Sequence, residues 1–233
     1  MSSLKQRVAA VSLLAAAVIF FAPSPSSWAH RTQSAAQAQA PQAVEWVDGF
    51  DGDKLDEAKW ERYTFEGGGG GKVEVRDGQL QLRGGSGSRA GVRSREPFGG
   101  DRFIFEATVA KVGRQLPEAG KRDSDLGFAT LCVLFDGSGR NRIEWILTSE
   151  NTFEAWSVVD GRGERLDKGG LGTKEKTPTL GIVRRGDEFL FMLNGEEGLR
   201  RTVKNMPRKF HVMLYGFGTS ENNWDSARVV TVK

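Results

Sequence analysis

Glu106, Glu144 and His211 are the side chains of this 233-residue chain best suited to proton transfer. Carboxylates and an imidazole act as general acid or base when a substrate proton lies within hydrogen-bond reach. Arg93, Trp156 and Tyr215 are candidates to hold a ligand beside them. Aromatic rings stack on the apolar faces of sugars, while charged and amide groups bind hydroxyls. One face carrying Arg93, Glu106, Glu144, Trp156, His211 and Tyr215 would therefore suit an oligo- or polysaccharide. Simpler roles compete. Arg93 and Glu106 could form a cross-strand ion pair. His211 has no fixed acidic partner in the sequence and suits a structural role, and Trp156 could pack under a loop. The only other histidine is His30.

The elements that must position these residues read as strands. Side chains alternate across a strand. Phe103, Phe105, Ala107 and Val109 form one face, leaving Arg102, Glu106 and Thr108 on the other. By the same parity Ile143, Trp145 and Leu147 turn inward and Glu144 outward. Phe153 turns inward, with Glu154 and Trp156 outward. Phe210, Val212 and Leu214 suit a core, with His211 and Tyr215 pointing away, and Val92 inward leaves Arg93 and Arg95 outward. The run from Leu126 to Phe135 is almost wholly apolar and suits a central strand. Asp77-Gly78 and Asn194-Gly195, each flanked by alternating apolar residues, predict tight hairpins. The only helix candidate is one turn over Asp56 to Trp60, capped by Asp56. Many short strands with recurring turn glycines predict an all-β sandwich or barrel. Trp46, Trp60 and Trp145 are expected in core or strand-edge packing.

Lys5 and Arg7 precede an uncharged apolar run, Val8 to Phe21, and then Ser27-Trp28-Ala29. That order is expected of an export signal over residues 1–29, or of an uncleaved anchor. Residues 30–43 read as an Ala/Gln-rich tether, and 44–233 as one domain. The expected location is secreted or periplasmic. Removing residues 1–29 lowers the formal charge from +3 to +1, so the basic balance does not argue for nucleic acid. Cys132 is the single cysteine, which excludes an internal disulfide, and its apolar setting makes it a buried small hydrophobe. The glycine run 67–71 has no Lys-Ser/Thr after it and is no phosphate loop; it is expected to be a mobile loop beside a groove.

Several pieces resemble a known family in order. Ala90 to Val109 resembles a strand pair of the concanavalin A-like jelly rolls, with Ser94, Phe98 and Glu106 in the matching places. Phe50-Asp-Gly, Leu55-Asp56 and Trp60 resemble the opening of family 16 glucanases and their non-catalytic relatives. Asp77-Gly78 with Leu80 and Leu82 resembles their hairpin, and Trp224-Asp225 with Val229 to Val232 their closing strand. The resemblance implies a jelly-roll β-sandwich of two antiparallel sheets and a groove on its concave sheet. It also suggests a structural calcium, with Asp48 or Asp51 together with Asp225 as oxygen donors, against the simpler and favoured reading of a polar loop with ordinary acidic residues; no other cofactor is expected.

One departure concerns chemistry. Family 16 enzymes carry E-x-D-x-x-E or E-x-D-x-E after the long apolar strand. Retaining hydrolysis needs two carboxyls about 5 Å apart. The corresponding stretch here holds Glu144 and Glu150, six residues and roughly 20 Å apart on an extended strand. The expectation is an exported, non-catalytic carbohydrate-binding domain. The alternatives are a divergent glycosidase or 3-keto-disaccharide hydrolase-like enzyme using Glu106, Glu144 and His211, and a laminin G-like protein-interaction module.

Overall fold

The computed structural model describes residues 43–63, 71–85, 89–114 and 126–232. The expected signal, nearly all of the tether and the glycine run through residue 70 lie outside the described residues. The strands are β1 (Ala43–Asp48), β2 (Trp60–Arg62), β3 (Lys72–Arg76), β4 (Gln79–Arg83), β5 (Arg89–Ser94), β6 (Phe98–Gly99), β7 (Arg102–Val112) and β8 (Phe128–Leu134). They continue as β9 (Arg142–Thr148), β10 (Phe153–Val159), β11 (Arg162–Arg165), β12 (Thr179–Arg185), β13 (Glu188–Leu193), β14 (Glu196–Thr202), β15 (Lys209–Phe217) and β16 (Glu221–Val232). Sheet A runs β14-β13-β12-β7-β16-β4-β3, with β1 also on β16. Sheet B runs β11-β10-β9-β8-β15-β5-β2, with β6 also on β15. All neighbours are antiparallel, and the two sheets pack as a jelly-roll β-sandwich.

The alternation read from sequence builds the core. Phe103, Phe105, Phe189 and Phe191 of sheet A meet Leu131, Trp145, Phe153 and Phe210 of sheet B, all fully buried. Phe103 and Phe210 lie 4.1 Å apart between ring centroids, and Trp145 stacks on Phe153 at 4.9 Å. Both predicted hairpins form. Asp77-Gly78 and Asn194-Gly195 have positive φ at both positions, the type I′ geometry whose twist matches the flanking strands.

The Asp56 to Trp60 segment is a turn and not a helix. Asp56 Oδ1 accepts the Ala58 N–H at 3.0 Å, and its carbonyl accepts from Lys59 and Trp60 before β2 begins. Trp60 then donates Nε1 to Asp48 Oδ2 at 2.7 Å, while Asp48 Oδ1 accepts the Phe50 N–H at 3.0 Å. The carboxylate fixes the entry of the chain into sheet B. Both Asp48 oxygens serve the protein's own donors, Asp225 Oδ1 accepts from Gln79, and Asp48, Asp51 and Asp225 form no metal-binding cluster among the described residues.

Candidate functional site

The core faces of β8, β9, β10, β15 and β5 fix what their outer faces present. Across the outer face of sheet B one register row runs Arg165, Trp156, Glu144, Cys132, Met213, Arg93, Glu61. Five of the six residues expected to share a face do so: Arg93, Glu144 and Trp156 in this row, and His211 and Tyr215 in the flanking rows. Glu106 does not. It lies on β7 in sheet A, and its carboxylate pairs with Arg228 at 3.1 Å. Parity placed it away from the core correctly, but parity alone cannot say which sheet a strand joins. The proposed Arg93–Glu106 ion pair is absent for the same reason. Arg93 pairs instead with Glu61 at 2.5 Å and stands 4.3 Å from the Tyr63 ring centroid, a cation–π contact.

The middle of this face is a second small core. Cys132, Leu134 and Met213 are fully buried, Tyr215 is 4% exposed, and Tyr63 packs against them. This explains why β8 is apolar on both faces. Leu131 and Val133 belong to the main core, Cys132 and Leu134 to the smaller one. Gly91, in the row beside Tyr215, leaves room for that ring: a Cβ there would stand 2.7 Å from the Tyr215 Cβ.

Glu144 is the polar centre of the cluster, 6% exposed. Its Oε1 accepts Tyr215 Oη at 2.7 Å and Arg142 Nε at 2.5 Å, and Arg142 Nη1 donates to the Gly139 carbonyl at 2.6 Å. Burial, then the adjacent Glu144 carboxylate, push the Tyr215 hydroxyl well above its ordinary pKa, so it remains a donor. The same two causes raise the Cys132 thiol well above its ordinary value, which removes it as a nucleophile. Burial works against the Arg142 charge, but Glu144 outweighs it and raises its pKa.

At the margins the face is more open. Trp156 is half-buried, and its Nε1 donates to Glu154 Oε2 at 2.9 Å, while the other Glu154 oxygen lies 3.4 Å from Arg165. His211 Nδ1 lies 2.7 Å from the Ser94 carbonyl, which can only accept, so Nδ1 carries a proton. No carboxylate holds this imidazole among the described contacts, and the backbone carbonyl fixes its ring instead.

Tyr63, Arg142 and Arg165 were not singled out from the sequence. Arg142 was legible, because it precedes Glu144 by two residues and shares its face. Tyr63 was not, since it follows a three-residue strand with no periodicity. Arg165 is ordered by Asp167, whose side chain is nearly fully buried and also accepts the Ala155 and Gly169 N–H groups at 2.9 and 2.7 Å. Burial pushes the Asp167 carboxyl up, but the Arg165 bond and the two backbone donors outweigh it and hold its pKa below the usual carboxylate range. A depressed folded pKa contributes stability above the unfolded value, and that contribution is lost as pH falls through the folded one. The stability advantage over Asp167→Asn, measured by urea unfolding, is therefore expected to be full at pH 7 and to shrink below about pH 4. A pH-independent difference would refute the linkage.

No family model matches the chain, and no curated protein matches it. Solved structures do match. A non-specific endo-β-1,3(4)-glucanase from glycoside hydrolase family 16 superposes with TM-score 0.62 at 13% identity, over 83% of this chain and 92% of that one. The endo-β-1,3-glucanase of Pyrococcus furiosus gives 0.59 at 12%, over 83% and 95%. A structure reported for endo-acting O-glycanases of the human gut microbiota gives 0.61 at 15%, over 81% and 99%. The chain thus has the jelly-roll fold seen in the family 16 glucanases; at these identities the likeness establishes the scaffold, and function must be argued from the site.

Proposed function

We propose that the protein is an exported, non-catalytic carbohydrate-binding domain that takes an oligo- or polysaccharide on the outer face of sheet B. The observation that carries this reading is the half-buried Trp156 indole, held by Glu154 and flanked by Arg165. A fixed indole bordered by a carboxylate and a guanidinium offers a stacking surface with hydroxyl partners on either side. Glu144 and Tyr215, buried and bonded to each other, act beneath this surface as a support that keeps the strands in register. His211 and Arg93 are the remaining polar groups on the face.

The non-catalytic part of the reading is supported by what surrounds Glu144. Its neighbours on the same face of β9 are Arg142 and Ile146, its cross-strand partners are Cys132 and Trp156, and Arg142 and Tyr215 both donate to Oε1 of the carboxylate. A retaining pair needs a second carboxyl about 5 Å away, free to reach the sugar bond. Glu154, on the adjacent strand, is bonded to Trp156 and Arg165. The glucanases that share the fold act on β-glucans, which makes β-1,3- and mixed-linkage glucans the first ligands to try.

A glycan array probed with the purified protein, together with a reducing-sugar assay on the same glycans, tests the proposal. Binding without sugar release is expected. Trp156→Ala is expected to weaken binding about thirtyfold, the loss of a contact of about 2 kcal/mol, without changing the thermal midpoint. Binding to no glycan would overturn the carbohydrate reading. Sugar release that disappears in Glu144→Gln while binding persists would make the protein an enzyme.

A further inference from the structure

The outer face of sheet A carries an unusual pair. Arg102 on β7 and Arg185 on β12 are direct cross-strand partners, both exposed, on the same face. Like charges directly opposite one another destabilise a strand pair. Glu188 is the direct cross-strand partner of Arg185, and Glu197 also feels its charge, but both carboxylates make their closest pairings elsewhere. Asp101 pairs with Arg208 at 3.2 Å, and Glu188 and Glu197 both pair with Arg200, at 3.3 and 2.6 Å. Among the described residues no salt bridge reaches either guanidinium.

The two arginines border a cavity of about 630 Å³, within the range of small-molecule sites. Its floor is apolar. Val183, Ile104 and Val230 form one register row across three strands, and Val232 lies beside them. The rim is fixed by Arg184, a buried arginine on the opposite face of β12. It donates to the carbonyls of Gly186 and Met206, each at 2.7 Å, and of Pro207, and so ties β12 to the loop before β15.

We propose that this cavity binds a single-chain amphipathic anion. The alkyl chain lies on the Val183–Ile104–Val230 row, and a carboxylate or sulfate head sits between the Arg102 and Arg185 guanidiniums. The planar guanidinium matches a carboxylate in bidentate geometry, and the bound anion offsets like-charge repulsion between the two arginines. The site lies on the sheet opposite the proposed glycan face and does not depend on that reading.

Isothermal titration of the full chain with monomeric decanoate, in low salt, tests this. Decanoate is expected to bind at least tenfold more tightly than acetate, which has the head without the chain, and than tetraethylene glycol monooctyl ether, which has a chain without the charge. Arg102→Gln with Arg185→Gln is expected to weaken decanoate at least tenfold while leaving the thermal midpoint equal or higher, which separates loss of the site from loss of the fold. Val183→Thr, which retains both charges, is expected to weaken decanoate but not to create acetate binding. The proposal is overturned if the wild-type protein binds no decanoate, if the double glutamine variant binds it unchanged, or if only phosphatidylglycerol vesicles are bound.

Discussion

Glu144→Ala is expected to destabilise the protein by about 3 kcal/mol or more, because it breaks a buried ionic contact from one side only. Arg142 would keep its charge, largely buried, with the Gly139 carbonyl but without its carboxylate, and the Tyr215 hydroxyl, 4% exposed as a residue, would lose its 2.7 Å acceptor. Glu144→Gln should cost less, since an amide oxygen still accepts from Tyr215. Tyr215→Phe removes one donor from a carboxylate that keeps Arg142, and should cost about 1–3 kcal/mol. Because Glu144 and Tyr215 share a bond, the double variant should cost less than the sum of the single ones. Urea unfolding of the wild type, Glu144→Ala, Tyr215→Phe and their double variant measures this, and strict additivity would show that the bond contributes nothing. If a sugar site lies above this cluster, these variants should also lose affinity, through loosened strands and not through lost contacts.

Trp145→Ala is expected to cost about 3–5 kcal/mol, the range for emptying a large aromatic site in a core. Trp145 is 1% exposed, stacks on Phe153, and lies 5.4 Å from Phe191 of the opposite sheet. Its Nε1 also donates to the Met192 carbonyl at 3.0 Å, so this one side chain fastens β9 of sheet B to β13 of sheet A. Trp145→Phe should retain much of the packing and lose the bridge, and so fall between alanine and wild type. Thermal or urea midpoints decide it; a loss below about 1 kcal/mol for Trp145→Ala would mean that the sandwich does not close through this residue. Glu144 and Trp145 are adjacent in sequence yet serve opposite faces of one strand. The main core and the outer cluster therefore meet at β9.

The sequence by itself determined the local structure and the class of fold. Alternation at Phe103 to Val109, Ile143 to Leu147 and Phe210 to Leu214 depends only on the twofold period of a strand, and the Asp77-Gly78 and Asn194-Gly195 turns depend on two residues tolerating positive φ. These are local rules, so they can be read without knowing what the chain packs against. The tertiary structure decided everything that depends on sheet membership. Glu106 and Glu144 have the same parity but lie on different sheets, which divides the expected acid–base trio. Asp48, expected as a calcium donor, accepts a hydrogen bond from Trp60, twelve residues on. Glu144 and Tyr215 looked like open ligand contacts and are buried against each other, although β9 and β15 are separated along the chain by sixty residues or more. The facing of Arg102 and Arg185, eighty-three residues apart, is likewise a matter of register between distant strands. Such pairings arise from long-range strand order, and no local pattern in a single sequence encodes them.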